Sequence, residues 1–92
     1  MTTREVVIAN RLGLHARAAA KFVRMATVYR SQIRVSRDGR SMDGKSIMGI
    51  LLLAAGCGSR VEISADGVDE VEAVDALVRL VRSGFGEESW SA

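Results

Sequence analysis

One histidine, His15, stands in the run Gly13-Leu14-His15-Ala16-Arg17, where an alanine-rich stretch with helical spacing begins. At its simplest such a residue is a helix cap or a surface group. The sharper chemistry is nucleophilic, because imidazole can attack an activated phosphoryl group and hold it. At a helix start the backbone N–H groups of Ala16, Arg17 and Ala18 have no carbonyl partners. Those donors and the positive end of the helix dipole favour an anion attached to His15. Arg17 adds a planar fork of donors that suits phosphate oxygens. The same dipole disfavours imidazolium and keeps a nitrogen lone pair available. No magnesium cluster or nucleotide-binding glycine loop accompanies the histidine in the sequence. The phosphoryl donor would therefore be another protein's active site, and the chain a carrier rather than a stand-alone catalyst.

The 92 residues are 48% hydrophobic and 26% charged, with one Cys and no Pro. That supports one domain with one modest core. A lone Cys57 gives no disulfide framework and no cysteine-based zinc site. One histidine cannot build a paired-histidine site, a zinc site or a triad, so neither metal nor cofactor is expected. The longest apolar stretch, 47–58, is too short to span a bilayer. The first residues carry no signal-peptide core, so a cytoplasmic location without membrane insertion is expected. The formal charge of +2 is unevenly spread: residues 1–45 hold ten bases against three acids, and 46–92 hold three against eight. An asymmetry of this kind concerns partners rather than fold.

The elements that must position His15 follow from spacing. Glu5 to Ala9 reads as a short strand and residues 10–14 as a loop. A helix runs from Ala16 to about Val28, with Ala19, Phe22, Val23 and Ala26 on one face. Ile33 and Val35 alternate with polar neighbours, Asp38-Gly39 is a hairpin turn, and Arg40 to Asp43 returns. Ser46 is a good N-cap for a short apolar helix stopping near Gly56. Val61, Ile63 and Ala65 form a half-buried strand. Asp69 with Glu72 resembles a capping box. It precedes a helix with the stripe Val71, Val74, Leu77, Val78 and Val81, closed at Gly84. The order β-α-β-β-α-β-α predicts an α/β two-layer domain, a four-stranded antiparallel sheet with helices on one face. It would occupy 1–92 as a single domain with its core over about 4–88, and the end from Glu87, including Trp90, would fray.

Gly13-Leu14-His15-Ala16-Arg17 resembles the active-site motif of the histidine-containing phosphocarrier (HPr) family of the bacterial phosphoenolpyruvate:sugar phosphotransferase system. Lys45-Ser46-Ile47-Met48-Gly49 resembles that family's regulatory serine region. The likeness continues through Ser64-Ala65-Asp66-Gly67 and Gly84-Phe85-Gly86, over roughly residues 4–88. It implies an open-faced sandwich with sheet order 1-4-2-3. It also implies that His15 takes a phosphoryl group from Enzyme I on Nδ1, with Arg17 stabilising it, and passes it to a histidine of a IIA domain. Ser46 matches the serine modified by an ATP-dependent HPr kinase/phosphorylase. One departure is Ala18, where the family commonly has proline; alanine is well tolerated in a helix and supplies one more N–H.

Ile47, Met48, Leu51 and Leu52 cannot all point inward from so short a helix; Leu51 and its neighbours should include core residues, while Ile47 and Met48 would form an exposed apolar patch. With Arg17, Lys21, Arg24 and Lys45 around them, they would form a docking face with an apolar centre and a basic rim, suited to acidic partners and fast release. The chain is expected to act as a monomer. Two alternatives stand beside the sugar-uptake carrier. One is a paralogue serving a nitrogen-type or gene-regulatory branch with the same His15 chemistry. The other is a small nucleic-acid-binding module, which the basic half suggests but the aromatics Phe22, Tyr29, Phe85 and Trp90, none on a strand, do not support.

Overall fold

Alternation of side chains decides the architecture. Along one strand Val61, Ile63 and Ala65 are buried while Glu62 is exposed, and along another Ile33 and Val35 are buried while Arg34 is exposed. A computed structural model describes residues 1–87. The elements are β1 (Thr2–Val7), α1 (Ala16–Thr27), β2 (Gln32–Arg37), β3 (Arg40–Asp43), α2 (Ile47–Leu52), β4 (Arg60–Asp66) and α3 (Glu70–Arg82). The four strands form one antiparallel sheet in the order β1-β4-β2-β3, the predicted order.

The register places Val6 opposite Val61, and Ile33 and Val35 opposite Ala65 and Ile63. These residues join Phe22, Ile50, Leu53, Leu77 and Phe85 in one core beneath the helices. Truncating a fully buried member such as Leu77 to Ala costs about 2–5 kcal/mol. The opposite face carries rows such as Thr3, Ser64 and Arg34, with a Thr3 hydroxyl donating to Ser64 Oγ at 3.2 Å. A sheet with one polar face can face water on that side.

Element ends differ from the sequence reading, each for a local reason. β1 begins at Thr2 rather than Glu5, because its pairing follows β4 from Thr2 opposite Ala65 onward. Beyond its end the ladder continues, with Ile8 N–H donating to Ser59 O and Gly58 N–H to Ile8 O, both at 2.8 Å. α2 stops at Leu52 rather than near Gly56. Arg40 Nη1 donates to Leu52 O (2.8 Å) and Arg37 Nη1 to Leu53 O (2.9 Å), so the hairpin arginines satisfy the final carbonyls.

The capping box at α3 does not form. Asp69 turns away and accepts from Arg30 N–H, Ser31 N–H and the Ser31 hydroxyl, at 2.8, 2.9 and 2.5 Å. Glu70 faces back instead, accepting from Gly67 N–H at 3.2 Å and from the Thr2 hydroxyl at 2.6 Å. Of the predicted stripe, Val74, Leu77, Val78 and Val81 are buried and Val71 is exposed. Trp90 lies outside the described residues.

Candidate functional site

The loop before α1 is built to present its first residue. Gly13 adopts φ +68°, and a Cβ there would stand 2.6 Å from Ala55 O and 2.7 Å from Gly56 Cα, so a larger residue cannot make this approach. The adjoining Leu14 is buried and its N–H donates to Ala55 O at 2.9 Å. His15 follows as the N-cap of α1, extended at φ −74° and ψ 178°. The first helical bond is Ala19 N–H to His15 O at 2.8 Å, which leaves the N–H groups of Ala16, Arg17 and Ala18 ahead of the ladder. Ala16 and Arg17 are exposed. Ala18 is wholly buried, so its N–H is not presented at the surface beside the other two.

Both ring nitrogens of His15 are engaged. Nδ1 accepts from Arg17 N–H at 3.3 Å, and Nε2 lies 2.5 Å from Glu87 Oε2. An ionised carboxylate can only accept, so the ring proton sits on Nε2 and the lone pair on Nδ1. Around them lies an open depression of about 700 Å³, lined by Leu12, His15, Ala16, Arg17, Lys21, Gly86 and Glu87. A separate depression of about 480 Å³ at the β2–β3 turn, lined by Arg37, Asp38 and Arg40 among others, shares none of these residues.

Glu87 is the residue that sequence reasoning missed, because a polar chain end reads as a fraying tail. Gly84, Phe85 and Gly86 take φ values of +68°, +59° and +70°, a left-handed turn that reverses the chain after α3. Such a conformation costs about 1–2 kcal/mol for a residue with a Cβ. Burial of the Phe85 ring, worth about 1.5–3 kcal/mol, offsets it. Lys21 Nζ donates to Phe85 O at 2.7 Å, and Asn10 Nδ2 donates to Glu87 Oε1 at 3.0 Å and to Gly13 O at 2.8 Å. Burial pushes the Glu87 carboxyl up, but the hydrogen bonds from Asn10 and His15 and the nearby Lys21 charge outweigh it, and the carboxyl titrates below the usual range. Two glycines flanking an aromatic residue were the available signal, since they mark an anchored turn rather than a loose end.

The second predicted site lies at α2. Ser46 is its N-cap, and its Oγ accepts from Gly49 N–H at 3.1 Å. Ile47 and Met48 are exposed, as is Leu52, while Leu51 is half-buried against the core. α2 packs against α1, which carries His15 at its start and the exposed Arg24 in its last turn. Lys45 differs from the expected free rim charge: its Nζ donates to Tyr29 O at 2.8 Å and its N–H to Asp43 Oδ1 at 2.9 Å. Among the described residues no helix is long and apolar enough to cross a membrane.

Comparison with known proteins adds independent weight. Residues 2–83 match the family described as the PTS HPr component phosphorylation site. The phosphocarrier protein HPr of Cupriavidus necator is 53% identical over 87 residues, covering 95% of this chain and 98% of that one. HPr of Pseudomonas aeruginosa is 50% identical over 88 residues, with the same coverage. Among solved structures, HPr-C-His from Thermoanaerobacter tengcongensis superposes with a TM-score of 0.92 at 49% identity, covering 96% of this chain and 99% of that one. From its sheet order, its family match and these relatives, the chain belongs to the HPr phosphocarrier family of the phosphotransferase system, whose members carry phosphoryl groups rather than act as stand-alone enzymes.

Proposed function

We propose that His15 Nδ1 accepts a phosphoryl group from phosphorylated Enzyme I and donates it to a histidine of a IIA domain. The observation that carries this reading is the placement of Nδ1, at the N-cap of α1 against the Arg17 N–H, while Nε2 is already occupied. The electron pair of Nδ1 forms the new bond to phosphorus as the donor's own bond breaks. The N–H that now rests on Nδ1 is then free to turn to a phosphoryl oxygen, joined by that of Ala16. The exposed Arg17 guanidinium supplies a bidentate clamp. Docking would use Ile47, Met48 and Leu51 with Arg24, and Lys45 acts chiefly by tethering the end of α1.

Ser46 is proposed as a regulatory phosphorylation site for an HPr kinase/phosphorylase. A phosphate at an N-cap is favoured locally by the dipole, yet it places about two negative charges beside Ile47 and Met48, where an acidic partner would dock.

Incubation with phosphoenolpyruvate and Enzyme I should give one acid-labile, base-stable phosphoryl group, mapped to His15. Equal labelling of His15→Ala would overturn the assignment. Incubation with ATP and the kinase should give an acid-stable label at Ser46. Its failure would reduce Ser46 to a helix cap and leave the carrier role standing.

A further inference from the structure

We propose that Glu87 is a positioning residue for the relay: it holds the Nε2 proton of His15 in place and offsets the positive charge that the ring acquires when Nδ1 is phosphorylated. The inference rests on the reading of His15 as the phosphoryl acceptor. It starts from the 2.5 Å contact between Nε2 and Glu87 Oε2, and from how thoroughly that carboxylate is held. Asn10 secures the other carboxylate oxygen, Phe85 anchors the preceding turn in the core, and Lys21 grips the Phe85 carbonyl. An incidental surface ion pair would not be fixed from a loop, a helix and a core side chain at once.

The electron balance shows what the carboxylate is for. When Nδ1 attacks, its lone pair forms the nitrogen–phosphorus bond, and the bond between phosphorus and an activated phosphoryl donor breaks. The ring keeps its Nε2 proton and becomes cationic. When the group moves on, the nitrogen–phosphorus bond breaks and the pair returns to Nδ1. No proton has to enter or leave in either direction. The transferring bond is nevertheless coupled to a positive charge that appears and disappears on the ring. A carboxylate fixed beforehand on the far nitrogen meets that charge without reorganising. Among the described residues, the charged groups lining the depression are Arg17 and Lys21 on α1 and Glu87 after the turn, so Glu87 is the anion among them. Both cations serve the phosphoryl side or the turn, and neither could play this part.

Glu87→Gln removes the charge and leaves one acceptor oxygen where His15 and Asn10 now use two; Glu87→Ala removes the charge and both acceptors. Glu87 lies beyond α3, so both variants should keep the wild-type fold, with amide shifts changed only around Asn10, His15 and the turn after α3. With histidine labelled by 15N, the phosphorylated wild-type ring should show a resolved Nε2–H doublet slightly above neutral pH. In Glu87→Gln the doublet should collapse through exchange with water. The turnover number for phosphorylation by Enzyme I should fall about three- to tenfold, as expected for a partly exposed charge contact, with KM little changed. If the doublet and the rate in Glu87→Gln equal those of wild type, Glu87 merely ties down the turn after α3 and the inference is overturned. If wild-type His15 takes no phosphoryl group at all, the underlying reading fails instead, and the two failures are distinguishable.

Discussion

The starts of α1 and α2 are two versions of one device, a side chain that caps a helix and is also the proposed carrier of a phosphate. His15 caps a 12-residue helix with a ring nitrogen, at the long distance of 3.3 Å, and has Arg17, Lys21 and Glu87 around it. Ser46 caps a six-residue helix with a hydroxyl at 3.1 Å, and exposed apolar residues follow it directly. The first cap is weak and surrounded by charges that answer a transient anion. The second is ordinary, with no acidic or basic residue in the first turn of its helix. A phosphate on His15 would be handed on; one on Ser46 would act by what it keeps away. α3 supplies a third case, where Asp69 leaves its own helix uncapped and ties the segment before β2 instead.

The largest effect that sharpens this contrast should come from Arg17. Arg17→Lys keeps the charge but not the fork, and phosphorylation of His15 by Enzyme I should slow about tenfold, or about 1.4 kcal/mol in the barrier. Initial rates at saturating Enzyme I would measure it. A rate equal to wild type would show that the backbone N–H groups suffice, and the start of α1 would then work as the start of α2 does.

Asp69 gives the next effect, on stability. The Ser31 hydroxyl and the Arg30 N–H hold its carboxyl at about 2, below the ordinary 3.8. The Thr2 hydroxyl, the amino terminus and Gly67 N–H hold Glu70 at about 2, below 4.5. Lowered folded values mean that the unfolded chain binds protons first as pH falls. These contributions are therefore complete above about pH 4.5 and are lost as pH falls towards 2. Denaturant midpoints should decline across that window. Asp69→Asn should be less stable than wild type at neutral pH and show a shallower acid limb, with Glu70 supplying the remainder. An unchanged limb would mean that the clasp on Ser31 contributes nothing.

How much of this was legible in the sequence depended on the range of the contact. Strand alternation, the helix faces and the placement of His15 and Ser46 at helix starts are local patterns, and each was readable from residues within one or two turns. The Asp69 clasp was not, since Ser31 lies 38 residues away and the capping box was the only local competitor in view. Glu87 was hidden for the same reason: its partners Asn10 and His15 are 77 and 72 residues distant. A polar chain end reads as solvated unless something reveals the turn beneath it. Lys45 shows the converse, a charge whose sequence position suggested a free rim but whose ammonium is held by a backbone carbonyl on Tyr29.

The smallest effect separates the two meanings of Ser46. Ser46→Ala removes the acceptor for Gly49 N–H and should cost about 1 kcal/mol, a typical loss for an N-cap serine. Phosphorylation of His15 and docking to acidic partners should be nearly unchanged, because no charge has been added. Ser46→Asp does the opposite. Aspartate caps as well as serine, so stability should stay within a few tenths of a kcal/mol. The added negative charge beside Ile47 and Met48 should weaken binding to an acidic partner, and the weakening should shrink as salt is raised. Chemical denaturation and binding isotherms at two ionic strengths read both variants. If Ser46→Ala weakened docking as much as Ser46→Asp, the integrity of a six-residue helix, rather than charge, would govern the α2 face.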